Sequence, residues 1–188
     1  MTARLTLICH GSTEAVRRAA FPRDEPLDDR GKAHAAELVA HLPRGDRCWT
    51  GAELRARQTA EALGLSASVQ PMLRECDYGR WAGKTLTEIA ACEPQAVDSW
   101  LNDPAAAPHG GESILDVIGR VARWLADARA RDERSIAITH ATIIRAAIVH
   151  VMDAPPSSFW RVDIRPLSMT QLTGSGGRWN ISSSGCVA

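Results

Sequence analysis

Two histidines stand where chemistry is most easily assembled. His10, in Leu7-Ile8-Cys9-His10-Gly11, and His140, in Ile138-Thr139-His140-Ala141, each close an apolar run and open a turn into a helix. Arg4 to Cys9 and Ser135 to Thr139 read as short buried strands rich in β-branched residues. In an open α/β sheet, ligands sit beyond the carboxyl ends of the strands. The pattern therefore nominates two imidazoles for one crevice, far apart as they are in the chain. Two converging imidazoles offer a nucleophile, a stabilising donor, or a pair of metal ligands.

The elements that must position them alternate between strand and helix, which favours a mainly parallel sheet covered by helices. A polar loop follows the first strand through Pro26. Asp28-Asp29 then caps a helix carrying Ala35, Leu38, Val39 and Leu42 at helical spacing, stopped by Pro43 and Gly45. Short strands are expected at Cys48–Thr50 and around Val69, with a helix from about Glu53 to Leu63 between them. Leu73 to Gly83 reads as a loop, followed by helical pieces at Leu86–Cys92 and Pro94–Leu101. A longer helix begins near Ser113, where Ser113 and Asp116 have capping-box spacing. The helix after His140 carries Ile143, Ile144, Ala147, Ile148 and Val151. Val162 to Ser183 reads as extended strands joined at Gly174–Gly177, a hairpin turn rather than a linker. The whole chain, 1–188, is expected to form one domain, its middle loops and helices making a small cap.

Composition narrows the function classes. Twenty-two basic residues balance 22 acidic ones, so net charge gives no support for a nucleic-acid or membrane-surface partner. No apolar run approaches the roughly 18 residues of a membrane span, and no leader pattern precedes the first strand. The five cysteines (Cys9, Cys48, Cys76, Cys92 and Cys186) are odd in number and show no CxxC spacing. A reduced, cytoplasmic protein is the expectation.

Six segments carry a resemblance, in the same order. Leu7-Ile8-Cys9-His10-Gly11-Ser12-Thr13 resembles the opening Arg-His-Gly motif of the histidine phosphatase superfamily, the phosphoglycerate-mutase-like proteins. Pro26-Leu27-Asp28-Asp29-Arg30-Gly31 resembles the loop and helix start that follow it. Leu54-Arg55-Ala56-Arg57-Gln58-Thr59-Ala60 resembles the Arg-Ala-x-Gln-Thr-Ala helix start. Leu73-Arg74-Glu75 with Tyr78-Gly79-Arg80-Trp81-Ala82-Gly83 resembles the acid-bearing loop, in a form similar to that of α-ribazole phosphatases. Gly110-Gly111-Glu112-Ser113 resembles the pre-helix element, and Thr139-His140-Ala141 with Ile144-Arg145 the second-histidine segment.

The resemblance implies a three-layer α/β fold and hydrolysis of a small phosphate monoester. By it, His10 is the nucleophile that becomes phosphohistidine, and the Gly11 turn passes close to the phosphate. Arg55 binds the phosphate, and His140 stabilises the transferred group. Glu75 serves as acid to the leaving oxygen and then as base toward water. The scheme requires no metal or cofactor, and its partner is a small phosphorylated substrate or anion. It leaves the oligomeric state open. Mutases of the glycolytic kind have longer chains, which makes that activity the weaker expectation. His34, His41, His109 and His150 are read as structural, with His109 near the cap.

The chain departs from the pattern at two donors. Cys9 stands where the family carries an arginine before the nucleophile, and Val16 where many mutase-like members carry an asparagine. A thiol lacks the charged bidentate fork that arginine offers phosphate. Three explanations stay open. Another cation fills the gap: Arg17 or Arg18 nearby, or Arg57, Arg145, Arg161 or Arg165 through the fold. Alternatively, the protein is a catalytically weakened or inactive relative that binds a ligand or partner. Third, Cys9 is itself functional, as a thiolate or as a zinc ligand with His10, Cys76 and His140. As a buried, inert filler of the vacated volume, Cys9 needs none of these roles.

Overall fold

The first strand, β1 (Arg4–Cys9), is buried from Leu5 onward, as a central strand covered on both faces must be. The computed structural model describes residues 2–186, with the side chain of Cys186 outside that description. Around β1 lie β2 (Arg47–Thr50), β3 (Ser68–Val69), β4 (Arg134–Thr139), β5 (Met169–Ser175) and β6 (Arg178–Cys186). They form one sheet in the order β3-β2-β4-β1-β5-β6. The first four in that order pair in parallel, while β5 and β6 add an antiparallel end.

Side chains on β1 alternate between two cores. Leu5, Leu7 and Cys9 face one core, shared with α6 (Ile114–Ala130) and α7 (Ala141–Val151). Ile8 faces the other, shared with α2 (Asp29–Leu38) and α3 (Leu54–Ala62). Helices on both faces of the sheet make the expected three layers.

Local chemistry starts the helices where the sequence placed them. The Asp28 carboxylate accepts the Gly31 amide at 2.7 Å to cap α2. Ser113 and Asp116 form the reciprocal capping box that opens α6. The cap includes α4 (Leu86–Cys92) and α5 (Pro94–Asn102), braced by Phe21, Tyr78, Trp81 and Trp100. The Tyr78 hydroxyl lies 2.8 Å from Thr142 Oγ1, which ties the cap to α7.

Three stretches differ from expectation. The first loop contains a four-residue helix, α1 (Glu14–Arg17), capped by Thr13 and too short to leave a periodic signature. Near the far end, Pro156–Arg161 forms a 3₁₀ helix, and strand structure resumes only at Met169, not Val162. There Pro166 precedes Leu167 at φ 61°, a turn that ends extended structure before β5. The helix expected through Leu42 is α-helical to Leu38 and 3₁₀ from Val39 to His41.

Candidate active site

Strand register brings the two histidines together. β1 and β4 pair in parallel with Cys9 opposite Thr139, so both chains leave the sheet at the same level. The His10 amide donates to the Thr139 carbonyl at 2.8 Å, and the imidazole centroids stand 5.2 Å apart. Both rings are buried. The crevice nominated by two strand ends is present.

Each imidazole is oriented by one ring nitrogen. Gly11 carbonyl oxygen lies 2.7 Å from His10 Nδ1 and can only accept, so Nδ1 carries the proton. Burial, then the proximity of His140 and Arg55, holds His10 well below its ordinary pKa. A neutral ring with a lone pair on Nε2 results. His140 Nε2 lies 2.8 Å from Glu53 Oε2. Burial alone would raise the Glu53 carboxyl, but the His140 hydrogen bond and charge and the Glu75 amide outweigh it, leaving it at about 2. An ionised carboxylate accepts, so His140 Nε2 donates.

Glu53 is the functional residue that sequence reading passes over. It precedes α3 at the N-cap position, yet its side chain caps nothing there. Asp24 instead takes the Leu54 amide at 2.6 Å, and Glu53 turns inward. Its second oxygen accepts the Glu75 amide at 2.9 Å, joining second histidine and acid. Gly51 makes room for this arrangement: a Cβ there would stand 2.8 Å from His140 Nε2 and 2.9 Å from Glu53 Oε2. The usable sequence signal is small, an acid at an N-cap two residues after the glycine that ends a strand.

Arg55 is fully buried at the start of α3. It donates to the Arg23 carbonyl at 2.5 Å and to Glu75 Oε2 at 3.4 Å, with Glu25 Oε1 3.7 Å away. Its Nε is buried without a partner. Glu75 Oε2 also stands 3.4 Å from His140 Nδ1, which makes no hydrogen bond. His10, Glu75, His140 and Arg55 thus stand together. A cleft lined by Glu53, Arg55 and Glu75 opens past Arg23, Arg74 and Tyr78, with the two histidines buried behind it.

The loop carrying Glu75 is held from behind. Arg120, buried on α6, donates to the carbonyls of Met72, Arg74 and Glu75 at 2.8, 2.9 and 3.3 Å. It also grips both Glu112 oxygens, at 2.9 and 2.8 Å. Glu112 of the Gly-Gly-Glu-Ser element thus pairs with Arg120 and orders the acid loop.

The remaining candidate residues are engaged or placed elsewhere. The Gly11 amide is bonded to Thr59 Oγ1 at 3.0 Å, so it is not a free phosphate donor. Gly11 is needed for close packing instead, since a Cβ would lie 3.0 Å from the Gly31 carbonyl oxygen. None of the substitute cations has its guanidinium in a contact with His10. Arg17 is half exposed and paired with Asp28 at 3.2 Å. Arg57 is exposed, two residues from Arg55 and hence on the opposite side of the helix. Arg18, Arg161 and Arg165 are exposed. Arg145 donates to the Val162 carbonyl at 2.7 Å and lies against Phe159 and Trp160, although its charge is felt at Cys9.

Neither reactive role for Cys9 fits. Burial, then the Glu75 charge, pushes its thiol up to about 12, against opposing effects of Arg145, Arg55 and the Ala141 amide. It is a protonated filler in the core, not a thiolate. Cys76 is likewise raised, by burial first, and its Sγ is engaged with the Asp77 and Glu112 carbonyls. The Cys9–His10–Cys76–His140 zinc set does not form. Val16 is exposed on α1 and supplies no donor. His109 is buried in the cap against Trp81, its Nδ1 accepting the Gly111 amide at 3.1 Å.

The sequence pattern of the histidine phosphatase superfamily (branch 1) spans residues 5–186. The chain belongs to this superfamily. Among curated members, it is 31% identical to a bifunctional protein of Mycobacterium tuberculosis over 186 residues, 92% of this chain and 51% of that protein. It is 28% identical to phosphoserine phosphatase 1 of Hydrogenobacter thermophilus over 168 residues, 84% of this chain and 80% of that one. The chain thus spans about half the length of the first curated relatives it matches. Among solved structures, a mycobacterial glucosyl-3-phosphoglycerate phosphatase superposes with a TM-score of 0.87 at 25% identity, over 100% of both chains. A protein titled mycobacterial hydrolase 1 gives 0.89 at 26% identity, again over 100% of both. This phosphatase superfamily membership matches the resemblance drawn from the motifs, and the fold is the phosphoglycerate-mutase-like one.

Proposed function

We propose that this chain, as one domain, hydrolyses a small phosphate monoester through a phosphohistidine on His10. The observation that carries the reading is a neutral, oriented His10 whose Nε2 lone pair shares a cleft with Arg55, Glu75 and His140. Nε2 attacks phosphorus, and the bond from phosphorus to the leaving oxygen breaks as Glu75 delivers its proton. Water then attacks the phosphohistidine, yielding a proton to Glu75, and the P–N bond breaks to release orthophosphate. Arg55, and His140 in the form that also carries a proton on Nδ1, donate to the equatorial oxygens, where charge is concentrated.

A substrate with a second anionic group, such as a carboxylate, is one candidate: Arg23 lines the mouth, while Arg74 there is already paired with Glu112 at 2.6 Å. The names of the phosphoserine and glucosyl-3-phosphoglycerate phosphatases among its relatives point the same way. An α-ribazole phosphate remains a candidate through the form of the acid-bearing loop. A reducing, cytoplasmic setting belongs to this proposal; no helix among the described residues is long and apolar enough to cross a membrane.

The second reading, a phosphate-binding protein with weak or no turnover, is favoured by one feature. Cys9 leaves the site without the guanidinium that would flank His10, and loss of one such donor costs about a hundred- to a thousandfold in rate. Turnover of an aryl phosphate, phosphoserine, 3-phosphoglycerate and α-ribazole phosphate, with acid-labile phosphohistidine trapped by rapid quench, decides between them. Hydrolysis above the His10→Ala background supports the enzyme. Orthophosphate binding with no hydrolysis on any substrate supports the binding protein. Higher turnover in Cys9→Arg than in the unaltered protein would identify the lost guanidinium as limiting.

A further inference from the structure

We propose that His10 Nε2, His140 Nδ1 and Glu75 Oε2 form a site for a divalent transition-metal ion of the zinc type. The ion takes the place of the phosphoryl group and so silences the cleft. Binding is independent of the phosphatase reading; the silencing rests on it.

The donor set is the one zinc selects. Among the described residues, these three supply ligand atoms that all lie within 4.8 Å of one another. His140 Nδ1 and Glu75 Oε2 are 3.4 Å apart, close to the edge of about 3.3 Å expected between ligands of a tetrahedral ion with bonds near 2.0 Å. Two histidines and one carboxylate leave a fourth position for water, as in sites open to exchange.

The groups behind the donors are also those of a metal site. A ligating histidine characteristically gives its other ring N–H to a carbonyl or carboxylate, which fixes the tautomer and raises ligand basicity. His10 does so to the Gly11 carbonyl at 2.7 Å, and His140 to the Glu53 carboxylate at 2.8 Å. His140 Nδ1 is then a fully buried nitrogen with no hydrogen-bond partner, beside Glu75. A buried polar atom without a partner is costly, and a metal ion satisfies it.

Charge favours the same occupant. Glu25 and Glu75 stand within 4 Å of the fully buried Arg55 guanidinium, so two carboxylates flank it, and a third, Glu53, lies against His140. An arginine at position 9 would add a positive charge beside His10; Cys9 adds none. The substitution that weakens anion binding lowers the barrier to a cation. A bound ion occupies the Nε2 lone pair of His10, and attack on phosphorus requires that lone pair.

The test titrates the chelator-stripped full chain with Zn²⁺ alone by calorimetry, using Co²⁺ absorption as a report on geometry. One equivalent should bind, with visible bands of four- or five-coordinate cobalt. His140→Ala and Glu75→Gln should each abolish the stoichiometric binding, and Glu53→Gln should weaken it about 10- to 100-fold. Circular dichroism confirms that each variant is folded, and Glu75→Gln serves if His140→Ala does not fold. Where aryl phosphatase activity is present, Zn²⁺ should inhibit it at the concentration that saturates calorimetric binding. No Zn²⁺ binding, or binding equally tight in Glu75→Gln and Glu53→Gln, overturns the metal site. Zn²⁺ binding in a protein without turnover would leave this site standing and remove the phosphatase reading alone.

Discussion

Replacing Gly51 by alanine places one methyl group against three closely packed atoms. The added Cβ would lie 2.8 Å from His140 Nε2, 2.9 Å from Glu53 Oε2 and 3.0 Å from the Leu73 carbonyl oxygen. His140 is fully buried and the carbonyl is backbone, so the Glu53 carboxylate is the group best able to yield. Its retreat forfeits a charge-assisted hydrogen bond worth about 1.5–3 kcal/mol. Keeping it in place strains the core, at about 1–3 kcal/mol for a buried overpacked group. Either route sets the loss near 2 kcal/mol. For a chain of this size, about 2–4 °C accompany each kcal/mol, so Gly51→Ala should melt about 4–8 °C lower. Gly119→Ala is the control: on α6 its Cβ would meet only Arg123 Nη1, at 3.9 Å. A helical glycine changed to alanine stabilises by about 1 kcal/mol, so the two variants should move in opposite directions. Thermal melts and urea titrations measure both. A Gly51→Ala protein melting within about 1 °C of the original would refute the packed His140–Glu53 arrangement.

Arg120→Met removes the charge-assisted bonds to Glu112, which keeps Arg74 at 2.6 Å, and frees the acid loop; unfolding free energy should fall by about 1.5–3 kcal/mol in urea titrations, and Arg120→Lys should not restore it. Unchanged stability would refute the anchoring role. Stability should also fall on acidification in two windows. His10, buried neutral, contributes fully above its ordinary pKa of 6.5 and loses that contribution as pH drops below it. Glu53, held at about 2 against an ordinary 4.5, contributes above pH 4.5 and loses it toward pH 2. Urea midpoints across pH should show both, with the upper window flattened in His10→Gln; greater stability on going from about pH 7 to about pH 5 would contradict the signs. Finally, mass-spectrometric mapping after brief alkylation of the native protein should find exposed Cys92 modified and Cys9 untouched. Modification of Cys9 at the rate of Cys92 would mean its thiol is neither buried nor held protonated.

How much of this was legible depends on where each partner lies. His10, Arg55, Glu75 and His140 sit inside short local patterns, and β1 and β4 advertise themselves by apolar runs, so their meeting could be anticipated. Glu53 could not, because its partner His140 becomes a neighbour only once β2 pairs with β4. An acid before a helix ordinarily caps it, and nothing local announces that Asp24 will take over the Leu54 amide. Arg120 was hidden for a related reason. A lone arginine on an amphipathic helix reads as solvated, whereas here it is buried under carbonyls from a distant loop. Arg57, one of several possible substitute cations, lies two residues from Arg55, and two residues along a helix turn a side chain to the far face.

The grip of Arg120 on three successive parts of the acid loop changes where the molecule can open. Connecting segments usually open at low free energy, ahead of the elements they join. The stretch from Met72 to Glu75 instead belongs energetically to α6, because moving it exposes a buried guanidinium and its carboxylate partner together. Its amides should therefore exchange with the long helix rather than with the surface loops. The acid is a fixed jaw of this cleft, held from behind by a helix rather than by its own loop.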